Sequence, residues 1–129
     1  MKDTFHDNKA VQAIAPAVLA ANTNGASIDL KGFDSALFVI NTGAIDAAGD
    51  FTVKLQESDT GTSGWTDVDA VDVLGSVPAT LAANAAYRIG YIGSKRKRYV
   101  RAVATKAGGT SIAAGVVAIL GHPNIAPVA

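Results

Sequence analysis

Apolar Phe51, Val53 and Leu55 alternate with polar Thr52, Lys54 and Gln56, a period of two that puts each set on its own face of a half-buried β-strand. Residues 58–64 (SDTGTSG) then carry turn chemistry, and Trp65, Thr66, Asp67 and Val68 resume an extended pattern, so residues 51–68 predict a hairpin with a longer loop. One hairpin cannot bury its own apolar face, and further strands are needed. Residues 27–30 (SIDL) give a short alternating strand. Residues 36–40 (ALFVI) form the most continuous run of large apolar side chains, bounded by turn residues, and predict a strand buried on both faces. Val71, Val73 and Leu74 mark another short strand. Tyr87, Ile89 and Tyr91 alternate with Arg88 and Gly90, and a turn at 93–97 leads into a strand at 99–105, a second hairpin with a basic tip. Residues 111–120 (SIAAGVVAIL) read as a long apolar strand with Gly115 in its middle, as expected for a bulge or a close approach of two backbones.

The first 24 residues carry the weakest pattern. Residues 10–21 are apolar, but Pro16 would break a helix at about Ala15, so an extended arm leading into a strand near 17–20 is expected. The predicted organisation is an arm and first short strand at 1–24 and a β-sandwich domain at 25–129. With roughly eight strands at regular spacing and no long amphipathic helix, the fold class is all-β, a single-domain β-sandwich or jelly-roll-like barrel.

Composition qualifies this picture. The chain has 129 residues, enough for one core, and is 49% hydrophobic but only 6% aromatic, so the core is expected to be thin and rich in alanine. Association with neighbours would supply burial that such a core lacks. The absence of cysteine removes disulfides, thiolate metal sites and a cysteine nucleophile. The polar start, MKDTFHDNKA, does not read as a signal peptide, and no run approaches the ~18 apolar residues of a membrane span, so a soluble protein without a membrane partner is expected. Net charge is zero, yet residues 1–72 hold all eleven acids and four bases, whereas residues 73–129 hold seven bases and no acid. If strands from the two parts share a sheet, these charges pair; if they separate in space, one face is acidic and another basic.

No catalytic constellation assembles. His6 and His122 lie in no metal or triad spacing. Asp67, Asp69 and Asp72 lack the glycine and distal glutamate of a calcium loop and read as a solvated face. The run from Ser58 to Trp65 is similar to the Asp-box turn of β-propellers, a structural element, and occurs once; Trp65 reads as a packing residue at the edge of the core. An enzyme is not expected, nor any cofactor. The basic segment Lys95, Arg96, Lys97, Arg98 and Arg101, flanked by Tyr91 and Tyr99, has the residue types of phosphate contacts and base stacking. Exposed basic hairpins also guard against edge pairing, and nucleic acid is not the expected partner.

Five stretches carry a resemblance: VQAIAPAV at 11–18, TNGASIDLKGFDSALFVINTG at 23–43, TVKLQESDTGTSGWTDV at 52–68, YIGSKRKRYVRAV at 91–103 and GHP at 121–123. Together they resemble a family of small tailed-bacteriophage and prophage proteins encoded among head-morphogenesis genes near the major capsid protein. The resemblance implies a virion structural protein, foremost a head decoration or cement protein that stabilises the capsid. The alternatives are a head-to-tail connector or tail component, and a nucleic-acid-binding module using the basic hairpin. It further implies the major capsid protein as partner, a homo-oligomer with a trimer as the candidate assembly, and a place on the capsid surface after assembly in the host cytoplasm. It supplies no catalytic residues. The expected subunit and capsid contacts are Val11, Ile14 and Val18 in the arm, with Arg88, Lys95, Arg96, Lys97, Arg98 and Arg101 in the basic hairpin.

Overall fold

Strict alternation in the longest strands builds two layers around one core. The computed structural model describes residues 4–91 and 97–123, and within them the chain forms β1 (Lys9–Leu19), β2 (Thr23–Asn24), β3 (Ile28–Asp29), β4 (Phe33–Asp46), β5 (Asp50–Ser58), β6 (Thr66–Asp67), β7 (Val73–Leu74), β8 (Ala86–Tyr91), β9 (Tyr99–Gly108) and β10 (Ser111–Pro123). A single turn of 3-10 helix, Ala70–Asp72, precedes β7. One antiparallel sheet has the order β1-β10-β4-β8-β7, and the other has β2-β9-β5-β6 with β3 also paired to β9. The protein is an all-β sandwich, as the spacing of turns predicts. The strand count exceeds eight because four of the ten strands are two-residue pairings along sheet edges.

The alternating faces meet as the period of two requires. Phe51, Val53 and Leu55 of β5 and Val100, Ala102 and Ala104 of β9 point inward against Phe38 and Ile40 of β4 and Val116, Ala118 and Leu120 of β10. Six alanines, at 13, 36, 102, 104, 114 and 118, belong to this core, so facing strands approach with little side-chain volume between them. Large side chains then set the spacing: Phe38, Phe51 and Tyr91 are completely enclosed.

The expected arm is not a separate element. Residues Lys9–Leu19 run antiparallel along β10 as an edge strand, with register shifts between Gln12 and Ile14 and between Ile14 and Ala17. Pro16 falls within the second irregularity. An edge strand tolerates a residue without an N–H there, because the ladder asks for no bond. Gly115 of β10 lies beneath it: a Cβ at that position would stand 3.1 Å from both the Cα and the Cγ of Pro16. The central glycine thus marks a close approach of backbones.

The open edge of β5 is closed by the chain itself. Val68 N–H donates to the Leu55 carbonyl at 3.1 Å, Leu81 N–H to the Phe51 carbonyl at 2.8 Å, and the Thr52 hydroxyl to the Pro78 carbonyl at 2.8 Å. These bonds remove most of a strand edge on which another chain could template.

Candidate interaction surfaces

The two outer faces of the sandwich differ in chemistry. On the β5–β9 sheet the outward positions are Thr52, Lys54 and Gln56 beside Tyr99, Arg101, Val103 and Thr105, with Val103 covered by its neighbours and polar groups around it that answer one another. Arg101 donates from Nε and Nη2 to Gln56 Oε1 at 3.0 and 2.7 Å. Gln56 Nε2 donates to Asp67 Oδ1 at 2.9 Å, and Lys54 Nζ reaches Asp67 at 3.1 Å. These two donors, Gln56 first and then Lys54, hold the Asp67 carboxyl below its usual range. The Arg101 guanidinium also lies over the Trp65 ring, 4.5 Å from its centroid. Trp65 therefore packs under a cation on the outer face and not against the core. Its partner lies in a strand far along the chain, which residue spacing alone does not reveal.

The turn at 58–64 spends its polar chemistry on its own backbone. Ser58 is completely buried; its Oγ accepts from the N–H groups of Thr60 and Gly61 at 3.2 and 3.1 Å and donates to the Ser63 carbonyl at 2.5 Å. Thr42, also buried, donates to the Ala82 carbonyl at 2.7 Å and accepts from Ala85 N–H at 2.9 Å, fastening the loop before β8. Among the described residues, no buried side-chain nitrogen or oxygen lacks a hydrogen-bond partner. The buried polar groups there hold loops in place.

Acidic and basic segments meet within one subunit because β9 lies between β5 on one side and β2 and β3 on the other. Arg98 makes a two-pronged pair with Asp29, Nε to Oδ1 at 2.9 Å and Nη2 to Oδ2 at 2.8 Å. That hydrogen bonding, helped by the Lys31 N–H, holds the Asp29 pKa at about 2 despite some desolvation, and the same pair raises Arg98. Lys97 stands 3.8 Å from Asp59. The expected second hairpin does not form, because β8 pairs with β4 and β7 in one sheet while β9 pairs with β5, β2 and β3 in the other; across this crossover the Tyr91 hydroxyl donates to Glu57 Oε1 at 2.7 Å and accepts from Lys97 N–H at 3.1 Å. The charge asymmetry along the sequence is thus folded into pairs across strands.

The outer face of the other sheet is apolar. Register aligns its outward side chains in rows: Ala10, Ile119 and Leu37; Gln12, Val117, Val39 and Arg88; Gly115, Asn41 and Ala86; Val18 and Ala113. Leu74 of β7 lies over Gly90 and extends the first row. Small residues at Gly43, Ala86, Ala113 and Gly115 leave a shallow depression of about 960 Å³. Its lining contains no ionisable side chain. Val18, Leu74 and Val117 are 70%, 56% and 43% exposed.

The predicted contact residues fall in three environments. Val18 and Arg88 lie on the apolar face, both exposed. Val11 is half-buried against the core, and Ile14 is enclosed in it. Lys97, Arg98 and Arg101 lie at or near the start of β9, engaged as described, while Lys95 and Arg96 lie outside the described residues. Leu37, Val39, Val117 and Ile119, which make the centre of the apolar face, were not among the expected contacts. Their signal was present as uninterrupted apolar runs in two strands.

No protein-family model matches the chain, and no curated protein matches it in sequence. Comparison with solved structures finds one with the same fold at a TM-score above 0.5. The SPBc2 prophage-derived protein YomS superposes with a TM-score of 0.51 at 11% identity, over 88% of this chain and 92% of that one. A Bacillus endospore appendage pilus structure gives 0.48 at 10% identity over 94% and 95%, and an infectious bursal disease virus structure gives 0.44 at 13% identity over 89% of this chain and 32% of that one. The likeness to the prophage protein covers nearly the whole length of both chains and is one of fold.

Proposed function

We propose that this chain is a virion structural subunit of a tailed phage or prophage, placed on the head as a decoration or cement protein that binds the major capsid protein. The observation that carries the reading is the division of labour in the fold. Buried polar side chains fasten the chain's own loops, while an apolar sheet face faces outward. Such a body is made to be completed by neighbours. The sequence resemblance to head-associated phage proteins, and a fold shared with a prophage protein, support the same reading. The basic segment that connects β8 to β9 is the proposed capsid contact, with Lys97 at its described end. Arg98 and Arg101 are committed to Asp29, Gln56 and Trp65, which leaves fewer charges for the phosphate contacts of a nucleic-acid module.

The test is binding of the purified chain to expanded heads that lack it, together with its copy number in virions. Saturable occupancy, and copies on the order of hundreds set by capsid symmetry, are expected. About a dozen copies, the number of one closed ring, would assign the chain to the connector or tail instead. Absence from purified virions would overturn the structural reading altogether.

A further inference from the structure

We infer that the apolar face of the β1-β10-β4-β8-β7 sheet is a self-association surface, and that its occupant is the same face of a second copy, related by a two-fold axis parallel to the strands. The first observation is that three of the five exposed large hydrophobic side chains among the described residues, Val18, Leu74 and Val117, lie on this one face. In an antiparallel sandwich the outward positions of a solvated sheet are ordinarily polar. Here they are Leu37, Val39, Val117 and Ile119 at the centre, with Val117 exposed and the other three partly so.

The second observation is that the face is complementary to itself. An axis lying in the interface between β10 and β4 exchanges the β1 side with the β8 side. Val18, protruding from β1, then stands just beyond the start of β8 in the second copy, one row past the small Ala86 and near Asn84. Leu74, protruding beside β8, stands over Ala10. Arg88, the one charged side chain in these rows, has no hydrogen bond or ion pair to a described residue; the same rotation sets it opposite Gln12 of the second copy, whose amide oxygen is an acceptor. Large meets small and donor meets acceptor under one operation, which is the requirement of an isologous contact.

The size also suits a pair of subunits. Four strands at about 4.8 Å spacing and some seven residues at about 3.4 Å each give an apolar centre of roughly 450 Å² in projection, which a polar rim extends toward the ~800 Å² per partner of a standard interface. The alignment is that of two sheets packed face to face, about 10 Å apart with nearly parallel strands. This inference does not depend on the virion reading, because it concerns the isolated chain.

Light scattering on the full-length chain at about 100 µM should give twice the 13.1 kDa chain mass. Val117→Glu should return the mass to that of one chain with an unchanged far-ultraviolet spectrum, and Thr62→Glu, exposed in the turn that follows β5 of the other sheet, should leave the dimer intact. Because the chain has no cysteine, a second measurement is clean. The double variant Gln12→Cys, Arg88→Cys should be joined into a covalent dimer by a short bis-maleimide, and each single variant should be joined poorly. A monomeric wild type, a trimer, a Val117→Glu dimer, or equal cross-linking by either single variant would each overturn the inference.

Discussion

The Tyr91 hydroxyl is one of the points where the acidic and basic parts of the chain are fastened together, and removing it should be costly. Tyr91 is 1% exposed; its hydroxyl donates to the Glu57 carboxylate of β5 and accepts the N–H of Lys97 just before β9. Tyr91→Phe keeps the ring and its packing but leaves a carboxylate oxygen and a backbone N–H short of a partner. A hydrogen bond to a charged group contributes about 1.5–3 kcal/mol and an ordinary one about 1. Since Glu57 is only half-buried and recovers some water, the expected loss is about 2 kcal/mol. Stability for 129 residues is on the order of 6–19 kcal/mol, so this is a measurable fraction. Urea titration at pH 7 should show a lower midpoint at unchanged slope. Tyr99→Phe, whose hydroxyl has no partner among the described residues, should change stability by less than about 0.5 kcal/mol. A Tyr91→Phe loss no larger than that of Tyr99→Phe would refute this account of how the crossover from β8 to β9 is anchored. So would the absence of coupling between Tyr91→Phe and Glu57→Gln, because residues sharing a bond must fail to add.

Three further outcomes are expected. Asp29 has its pKa lowered from 3.8 to about 2 in the fold, so its pairing stabilises the protein above pH 4 and is lost as pH falls from about 4 to 2; with both side chains more than 40% exposed, solvent screening keeps the effect under about 1 kcal/mol, and Asp29→Asn should abolish that part of an acid denaturation profile. Gly109 has φ +71°, and a Cβ there would collide with the Ala48 carbonyl, so Gly109→Ala should cost more than about 2 kcal/mol in thermal or urea unfolding. Ala48 itself sits at φ +58° in the turn between β4 and β5, and Ala48→Gly should raise stability by about 1 kcal/mol by relieving left-handed strain; a fall in melting temperature would contradict that.

Much of the fold is legible locally, because period-two patterning is a property of adjacent residues. Phe51, Val53 and Leu55 turn inward in the structure as their alternation requires, and Gly115 marks the close approach that a strand glycine predicts. What sequence reading misses is set by pairing over long separations. The arm is a strand only because β10, about a hundred residues later, runs beside it. Pro16 argued against helix but could not disclose that partner. Trp65 is placed by Arg101, and the meeting of acids and bases follows from β9 lying between β5 and the short strands β2 and β3. None of these juxtapositions has a local signature.

The run ALFVI brings the two kinds of information together. Its composition predicts burial on both faces, yet in the fold Ala36, Phe38 and Ile40 are enclosed while Leu37 and Val39 face outward, half-exposed. The neighbouring strand behaves in the same way, with Val116, Ala118 and Leu120 inside and Val117 and Ile119 outside. An outward solvated strand gains nothing from Leu, Val or Ile at successive positions, and such residues raise the hazard of aggregation. The β5–β9 sheet shows what this chain does with a face left to water: Lys54, Gln56, Asp67 and Arg101 form a connected polar surface. The contrast between two faces of one small sandwich gives the apolar runs their physical meaning. The second face that the sequence predicts to be buried is the one the proposed dimer covers, and the subunit's own core accounts for only one side of the strands that carry it.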